Sequence, residues 1–267
     1  MNYEQYVKGH VSEKDWKTLQ EMGINMDTKV IADIWPDLVN IRERERTETR
    51  FLRGLLPKNP KVFNAATGSA TTTIGLIVSG VVKKTDIVSN EIDKEFIRVA
   101  KSEAERYGIA LNLTSYDWRD IDKYHKTFDA VLCLGNSLTM LLDPCDQKRA
   151  LKNFRKLLKP NGKLIIDERN YAEHFLKGKY ISSGDVVYCG KDKVRTHPVF
   201  ISKNMVVMEY YHVVEGIKAH LVVFPFERGK LRSLLEQAGF QNITPYGDYM
   251  INFNPKDPEF LTYVCEI

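Results

Sequence analysis

Residues 61–80 read Lys-Val-Phe-Asn-Ala-Ala-Thr-Gly-Ser-Ala-Thr-Thr-Thr-Ile-Gly-Leu-Ile-Val-Ser-Gly, and no other stretch restricts the fold as much. Lys61 to Ala66 is a short apolar run, long enough for a buried strand. Thr67 to Ala70 is a turn of small residues. From Thr71 to Gly80, Ile74, Leu76 and Ile77 follow helical spacing behind hydroxyls that can cap an N-terminus. Strand, glycine turn and helix in that order open a doubly wound, nucleotide-binding sheet. Small residues suit the turn because a β-carbon would collide with a ligand resting on the backbone. Two positions depart from the usual pattern. Asn64 stands where the strand commonly carries an acid, and Ala70 where a second glycine is common.

The remaining pattern extends this sheet. Residues 1–60 read as helical and polar, with an irregular join at Trp35-Pro36 and a helix from Ile41 to Leu56 that Pro57 stops. Strands follow at Asp86–Glu91, Ile109–Thr114, Thr127–Leu134 and Lys163–Asp167. Helices separate them: Asp93–Tyr107, capped by Asp93 and ended by Gly108, and Asp146–Leu158, ended by Lys159-Pro-Asn-Gly162. This alternation implies a parallel sheet with right-handed crossovers. The period then shortens. Val186–Tyr188, Val199–Ile201, Val206–Val214 and His220–Phe226 are β-rich pieces separated by turns such as Lys203-Asn204 and Glu215-Gly216, the mark of hairpins. A last helix, Arg228–Ala238, precedes an antiparallel pair, Ile243–Tyr246 and Thr262–Ile267. The expected division is a helical segment over 1–60, a sheet domain over 61–175 and 227–267, and an antiparallel cap inserted at 176–226.

A chain of 267 residues suits one large α/β domain with an insertion. A net charge of +4 from interspersed signs gives no basic stripe for a nucleic-acid partner. The run Arg42, Arg44, Arg46 and Arg50 is broken by Glu43, Glu45 and Glu48 and reads as a solvated helix with local ion pairs. The cysteines Cys133, Cys145, Cys189 and Cys265 contain no CxxC pair, so neither a disulfide framework nor a metal site is expected. No apolar run is long enough to span a bilayer, and the N-terminus has no signal region. The expectation is a cytoplasmic protein with no membrane partner.

In open α/β sheets the ligand lies beyond the carboxyl ends of the strands. Glu91 stands there, about twenty residues past the glycine turn, where a carboxylate grips ribose hydroxyls. Asn90 faces the other way. Tyr116-Asp117-Trp118 offers an acceptor and an aromatic face to an adenine. Cys133-Leu-Gly-Asn-Ser137 brings Gly135, which permits close backbone approach, and Asn136, both donor and acceptor. Asp167-Glu-Arg-Asn-Tyr171 brings the Arg169 fork, suited to a carboxylate or to an ion pair with Asp167, Glu168 or Glu91. His174 and His220 read as structural rather than as a base.

Cys133-Leu-Gly-Asn-Ser-Leu138 followed by Ile165-Ile-Asp-Glu-Arg-Asn-Tyr171 resembles the paired signatures of glycine N-methyltransferase and its glycine/sarcosine relatives, among the class I S-adenosylmethionine-dependent methyltransferases. The similarity continues in Asn204-Met-Val-Val-Met-Glu-Tyr210, in Val223-Phe-Pro-Phe226 and in Tyr246-Gly-Asp-Tyr249. The fold it implies is a Rossmann-like α/β sheet with an antiparallel final pair. The cofactor it implies is S-adenosyl-L-methionine, with Arg44 on the methionine carboxylate, Gly68 in the glycine turn, Ala66 and Leu134 also binding the cofactor, Glu91 on the ribose, Asp117 with Trp118 at the adenine, and Gly135 bordering both cofactor and acceptor. It implies an amino-acid acceptor, glycine or sarcosine, bordered by Asn136, held through its carboxylate by Arg169, and covered by Tyr188 and Tyr210. Residues 1–40 match nothing in the family pattern; Tyr3, Tyr6 and Trp35 are their aromatic residues of note. A methyltransferase for another small amine or hydroxyl, and a non-catalytic cofactor-binding module, stay open beside this reading. So does a homo-oligomer.

Overall fold

The structure is a computed structural model and describes residues 3–39, 41–121, 123–177 and 193–267. The chain opens with helices α1 (Tyr3–His10), α2 (Glu13–Glu21) and α3 (Thr28–Leu38). Ser12 and Asp27 cap the second and third through their side chains. The join expected at Trp35-Pro36 is helical instead: α3 runs through Pro36, and the Val39 amide closes it on the Trp35 carbonyl. The helix continues through the proline at the cost of the one backbone donor that Pro36 lacks. The next helix is α4 (Ile41–Arg44), a π-helical turn (Glu45–Thr49) and α5 (Arg50–Leu55) in continuous succession.

The sheet region then alternates as the spacing predicts. It comprises β1 (Val62–Asn64), α6 (Thr71–Val78), β2 (Ile87–Asn90), α7 (Lys94–Glu105), β3 (Leu113–Thr114), β4 (Phe128–Cys133), α8 (Pro144–Leu157) and β5 (Leu158–Arg169). β3 is shorter than the expected 109–114. β5 starts directly after α8, because the Lys159–Gly162 turn is taken up as an irregularity in the β4–β5 register rather than as a break. Gly162 is required there: a β-carbon would lie 2.8 Å from the Lys159 carbonyl. A short helix, α9 (Tyr171–His174), follows, and then β6 (Val194–Ile201), β7 (Val206–His212) and β8 (Ile217–Val223). The chain ends with α10 (Lys230–Gln237), β9 (Gln241–Gly247) and β10 (Phe260–Glu266).

The large sheet has the order β3-β2-β1-β4-β5-β10-β9. Its first five strands are parallel, and β10 runs antiparallel to both β5 and β9. Alternate residues of each strand feed opposite faces, as strand geometry requires. Phe63, Val131 and Ile166 pack with Phe154 of α8 and Leu235 of α10. Val62, Leu132 and Ile165 pack with Leu52 of α5 and Leu76 of α6. Both faces are therefore covered, which is why β4 reads as a nearly continuous apolar run.

β6, β7 and β8 form a separate antiparallel sheet. Val207 and Val222 on one face receive Tyr6, Val7 and Leu19 of α1 and α2. Ala219 and Leu221 receive Ile31 and Ile34 of α3. Val206 and Met208 on the other face meet Tyr171 and Phe175. The amino-terminal helices thus pack on this small sheet. Val186–Tyr188, and with it Tyr188, lies outside the described residues.

Candidate functional site

A cavity of about 270 Å³ opens beyond the carboxyl ends of β1, β2 and β4. This is where the strand order reverses, the place an open parallel sheet offers a ligand. Arg44, Ala66, Gly68, Glu91, Asp117, Trp118, Leu134 and Gly135 all line it. The turn after β1 needs its small residues. Gly68 has φ +54° and nothing within 4 Å of where its β-carbon would stand, and Ala70 takes φ +65° just before α6. Asn64 lies away from the cavity wall and donates to Thr73 Oγ1 at 3.1 Å, binding β1 to α6.

The Glu91 carboxylate accepts from the Gly68 and Asp93 amides at 2.9 and 3.0 Å. Burial pushes its pKa up, and those two amides oppose the shift. Asn90 turns the other way and ties strand ends together: its amide donates to the carbonyls of Ala65 and Tyr116 and accepts from the Tyr116 amide. Trp118 donates its indole N–H to the Ala65 carbonyl at 2.8 Å and sets its ring edge-on to Phe154. Asp117 is clamped by the Arg119 guanidinium, with Nη2 at 2.6 Å, which holds its pKa down. Arg119 Nη1 donates to Asp146 at 2.9 Å.

Arg44 and Glu48 correct the picture of a solvated charged helix. Arg44 is 8% exposed and Glu48 is fully buried. Arg44 Nη1 lies 3.0 Å from Glu48 Oε2 and donates to Thr72 Oγ1 at 2.7 Å. Gly75 lets the π-turn approach α6, since a β-carbon there would meet Thr49 Oγ1 at 2.8 Å.

Asp167 fixes the far wall. Its carboxylate accepts from the Gly135 and Asn136 amides at 3.0 and 2.6 Å. Burial pushes its pKa up to about 7. Asn136, at φ +64°, spends its side chain on neighbouring groups: Nδ2 donates to the Tyr171 hydroxyl at 2.6 Å and Oδ1 accepts from the Arg169 amide at 3.0 Å. Neither Asn136, Arg169 nor Tyr210 lines the cavity beyond β1, β2 and β4. The Arg169 guanidinium sits between the Phe175 and Phe260 rings, 3.8 Å from Glu259 Oε2, and borders a separate pocket of about 50 Å³. Tyr210 packs against Trp35 with ring centroids 5.6 Å apart, and Trp35 does line the cavity beyond β1, β2 and β4. His174 meets the Pro258 carbonyl, and His220 lies between Asn25 and Glu209.

Sequence reasoning left residues 1–40 without a role, yet Tyr3, Tyr6 and Trp35 form one wall of the cavity. The Tyr3 hydroxyl donates to the Val222 carbonyl at 2.6 Å and accepts from the Val222 amide at 2.9 Å. The Tyr6 hydroxyl accepts from the Leu142 amide at 2.9 Å, and the Arg119 guanidinium stands 5.7 Å from its ring centroid. The available signal was the spacing of Tyr3, Tyr6 and Val7, which places aromatic and apolar groups on one face of a polar helix.

A parallel sheet with an antiparallel end and a ligand cavity at its switch point is the architecture of a class I methyltransferase. A family model described as a methyltransferase domain matches residues 62–162. The glycine/sarcosine N-methyltransferase of Aphanothece halophytica is 33% identical over 235 residues, covering 87% of this chain and 86% of that protein. The enzyme of that name from Parasynechococcus marenigrum is 34% identical, with 88% and 82% covered. An S-adenosylmethionine-dependent methyltransferase from Clostridium acetobutylicum superposes with a TM-score of 0.65 at 17% identity, over 86% of this chain and 92% of that one, and so shares the fold. The chain belongs to the glycine/sarcosine N-methyltransferase family. No helix among the described residues is long and apolar enough to cross a membrane.

Proposed function

We propose that the protein transfers a methyl group from S-adenosylmethionine to the amine of glycine and of sarcosine. The observation that carries this reading is that Arg44, the Gly68 turn, Glu91 and Trp118 all line one cavity. The residues fit the cofactor chemically. A buried guanidinium stands over the bare backbone of Gly135, its Nη2 3.8 Å from the site a β-carbon would take, and suits a carboxylate. The Glu91 carboxylate can accept from two ribose hydroxyls, and Trp118 offers a ring face to adenine. The bound cofactor supplies an activated methyl on a sulfonium. What the protein contributes is orientation, which can lower a barrier by several kcal/mol, and removal of water, which favours the uncharged amine beside a cation.

Support for the acceptor comes from the paired family signature that contains Asn136 and Arg169. Asn136 organises the ends of β4 and β5 through Tyr171 and the Arg169 backbone. In this proposal Arg169, which borders a separate pocket in the empty protein, leaves Glu259 to take the acceptor carboxylate, with Tyr210 over the amine. Tyr188, which lies outside the described residues, shares that role in this proposal.

The test is methyl transfer to small amines with and without a carboxylate. Glycine and sarcosine should be methylated and amines lacking a carboxylate should not, and Arg169→Ala should raise acceptor KM at least tenfold. Equal transfer to amines without a carboxylate, with KM unchanged in Arg169→Ala, refutes the acceptor assignment.

A further inference from the structure

The segment Tyr246-Gly-Asp-Tyr249 belongs to the family resemblance, yet neither tyrosine lines the cavity beyond β1, β2 and β4. Its backbone is unusual. Asp248 and Tyr249 both adopt left-handed conformations, with φ of 45° and 67°. A bulky side chain resists that region, and such positions persist only where surrounding structure imposes them. The Asp248 carboxylate imposes it here by accepting from the Glu259 and Phe260 amides at 3.1 and 3.0 Å. The consequence is that the Tyr249 phenol reaches across the molecule and donates to Glu48 Oε2 at 3.2 Å.

Glu48 is the centre of a buried network. It accepts from Thr72 Oγ1 at 2.6 Å as well as pairing with Arg44 Nη1. Thr72 Oγ1 in turn accepts from Arg44 Nη1. One edge of the guanidinium is therefore fixed on a carboxylate and a hydroxyl, while Nη2 faces the open backbone of Gly135. The π-helical turn Glu45–Thr49 carries Glu48 into this position, and such turns recur where a helix serves a site.

We propose that Glu48, oriented by Tyr249, is a positioning residue that aims Arg44 at the carboxylate of the bound cofactor. This rests on the reading of Arg44 given above. A long arginine side chain left to itself samples many rotamers, and binding must then order it. Pinning Nη1 in advance leaves Nη2 pre-aimed, and Glu48 also offsets the burial of the guanidinium in the empty protein.

The test compares binding of S-adenosylmethionine with binding of decarboxylated S-adenosylmethionine, by calorimetry without acceptor. The two ligands differ only in the carboxylate. The wild type should favour the first by tenfold or more, the strength of a charge-assisted contact. Glu48→Gln should cut that preference about tenfold and Tyr249→Phe about threefold, with the decarboxylated ligand held within twofold of its wild-type affinity. Tyr249→Phe keeps every charge in place and decides the matter if Glu48→Gln does not fold. A wild-type preference near one overturns the assignment of Arg44 to the carboxylate and the proposal with it. A normal wild-type preference that is unchanged or larger in the variants overturns the positioning role alone, and a larger one would mean that Glu48 competes for Arg44.

Discussion

Replacing Tyr3 with phenylalanine should loosen the amino-terminal wall of the cavity while leaving the sheet domain intact. β8 is an edge strand of the small sheet, and the Tyr3 hydroxyl supplies both the donor and the acceptor that Val222 needs on that edge. Val222 is fully buried. Phenylalanine keeps the ring and leaves one amide and one carbonyl without that partner, at about 1–3 kcal/mol for each buried group left unsatisfied. Some of this is recovered as water enters, so α1 should lose about 2–4 kcal/mol of docking free energy. An eight-residue helix has no stability of its own to draw on. Amide exchange across residues 3–10, followed by deuterium uptake and mass spectrometry, should accelerate by roughly thirty- to a thousandfold. Peptides covering β4 serve as the internal control and should not change. Cofactor should restore part of the lost protection, because a ligand that binds only the closed form stabilises it by mass action. Exchange in α1 within threefold of wild type would refute the claim that Tyr3 holds the helix.

Burial raises the Asp167 pKa from 3.8 to about 7, so the folded protein keeps a proton that the unfolded chain has already released. Stability from this group is full below pH 4 and falls as pH rises to 7, by at most about 4 kcal/mol. Denaturant-derived stability against pH should lose one proton of slope over that window in Asp167→Asn, and an unchanged slope would contradict the shift. Gly68→Ala meets nothing within 4 Å and should cost only about 1 kcal/mol in the cofactor-free protein, from its left-handed backbone. The new methyl should nevertheless weaken S-adenosylmethionine binding at least tenfold by calorimetry; equal losses in stability and binding would be the wrong result. Glu259→Gln removes the carboxylate 3.8 Å from Arg169, so the KM for glycine should fall severalfold with kcat little changed, and a rise in KM would show that Glu259 supports the arginine rather than competing for it.

The residues expected around the cofactor meet at one cavity because they are local in the chain. A strand, a glycine turn and a capped helix lie within twenty residues, and Glu91 follows at the next strand end, so short-range spacing places them together. Charge pattern misled where burial decides. Glu48 reads as one more acid in an alternating helix, and only the approach of α6 at Gly75 reveals that it is interior. The role of Tyr3 was illegible for a different reason. Its partner, Val222, is 219 positions away, and a hydroxyl satisfying a strand edge leaves no periodic trace. Trp35-Pro36 was read as an irregular join, whereas α3 runs through it.

Arg44, Arg119 and Arg169 each stand against a carboxylate already in place: Glu48, Asp117 with Asp146, and Glu259. Pairs this sheltered add little to stability, since desolvation cancels most of their attraction, but removing one partner leaves a charge stranded. Their value lies in what happens on binding. A cofactor that carries carboxylate, ammonium and sulfonium groups, and an acceptor that is itself a zwitterion, must shed water to react. Where an internal carboxylate is exchanged for an incoming one, the charge inside the protein is unchanged in kind, and the cost of the exchange is geometric rather than electrostatic. In the function proposed above, Arg169 makes such an exchange with Glu259. Arg44 is placed differently, with Nη1 committed to Glu48 and Thr72 and Nη2 turned to Gly135. In the same proposal, the first arrangement holds a substrate that must leave as product after each turnover, and the second holds the part of the cofactor that stays bound.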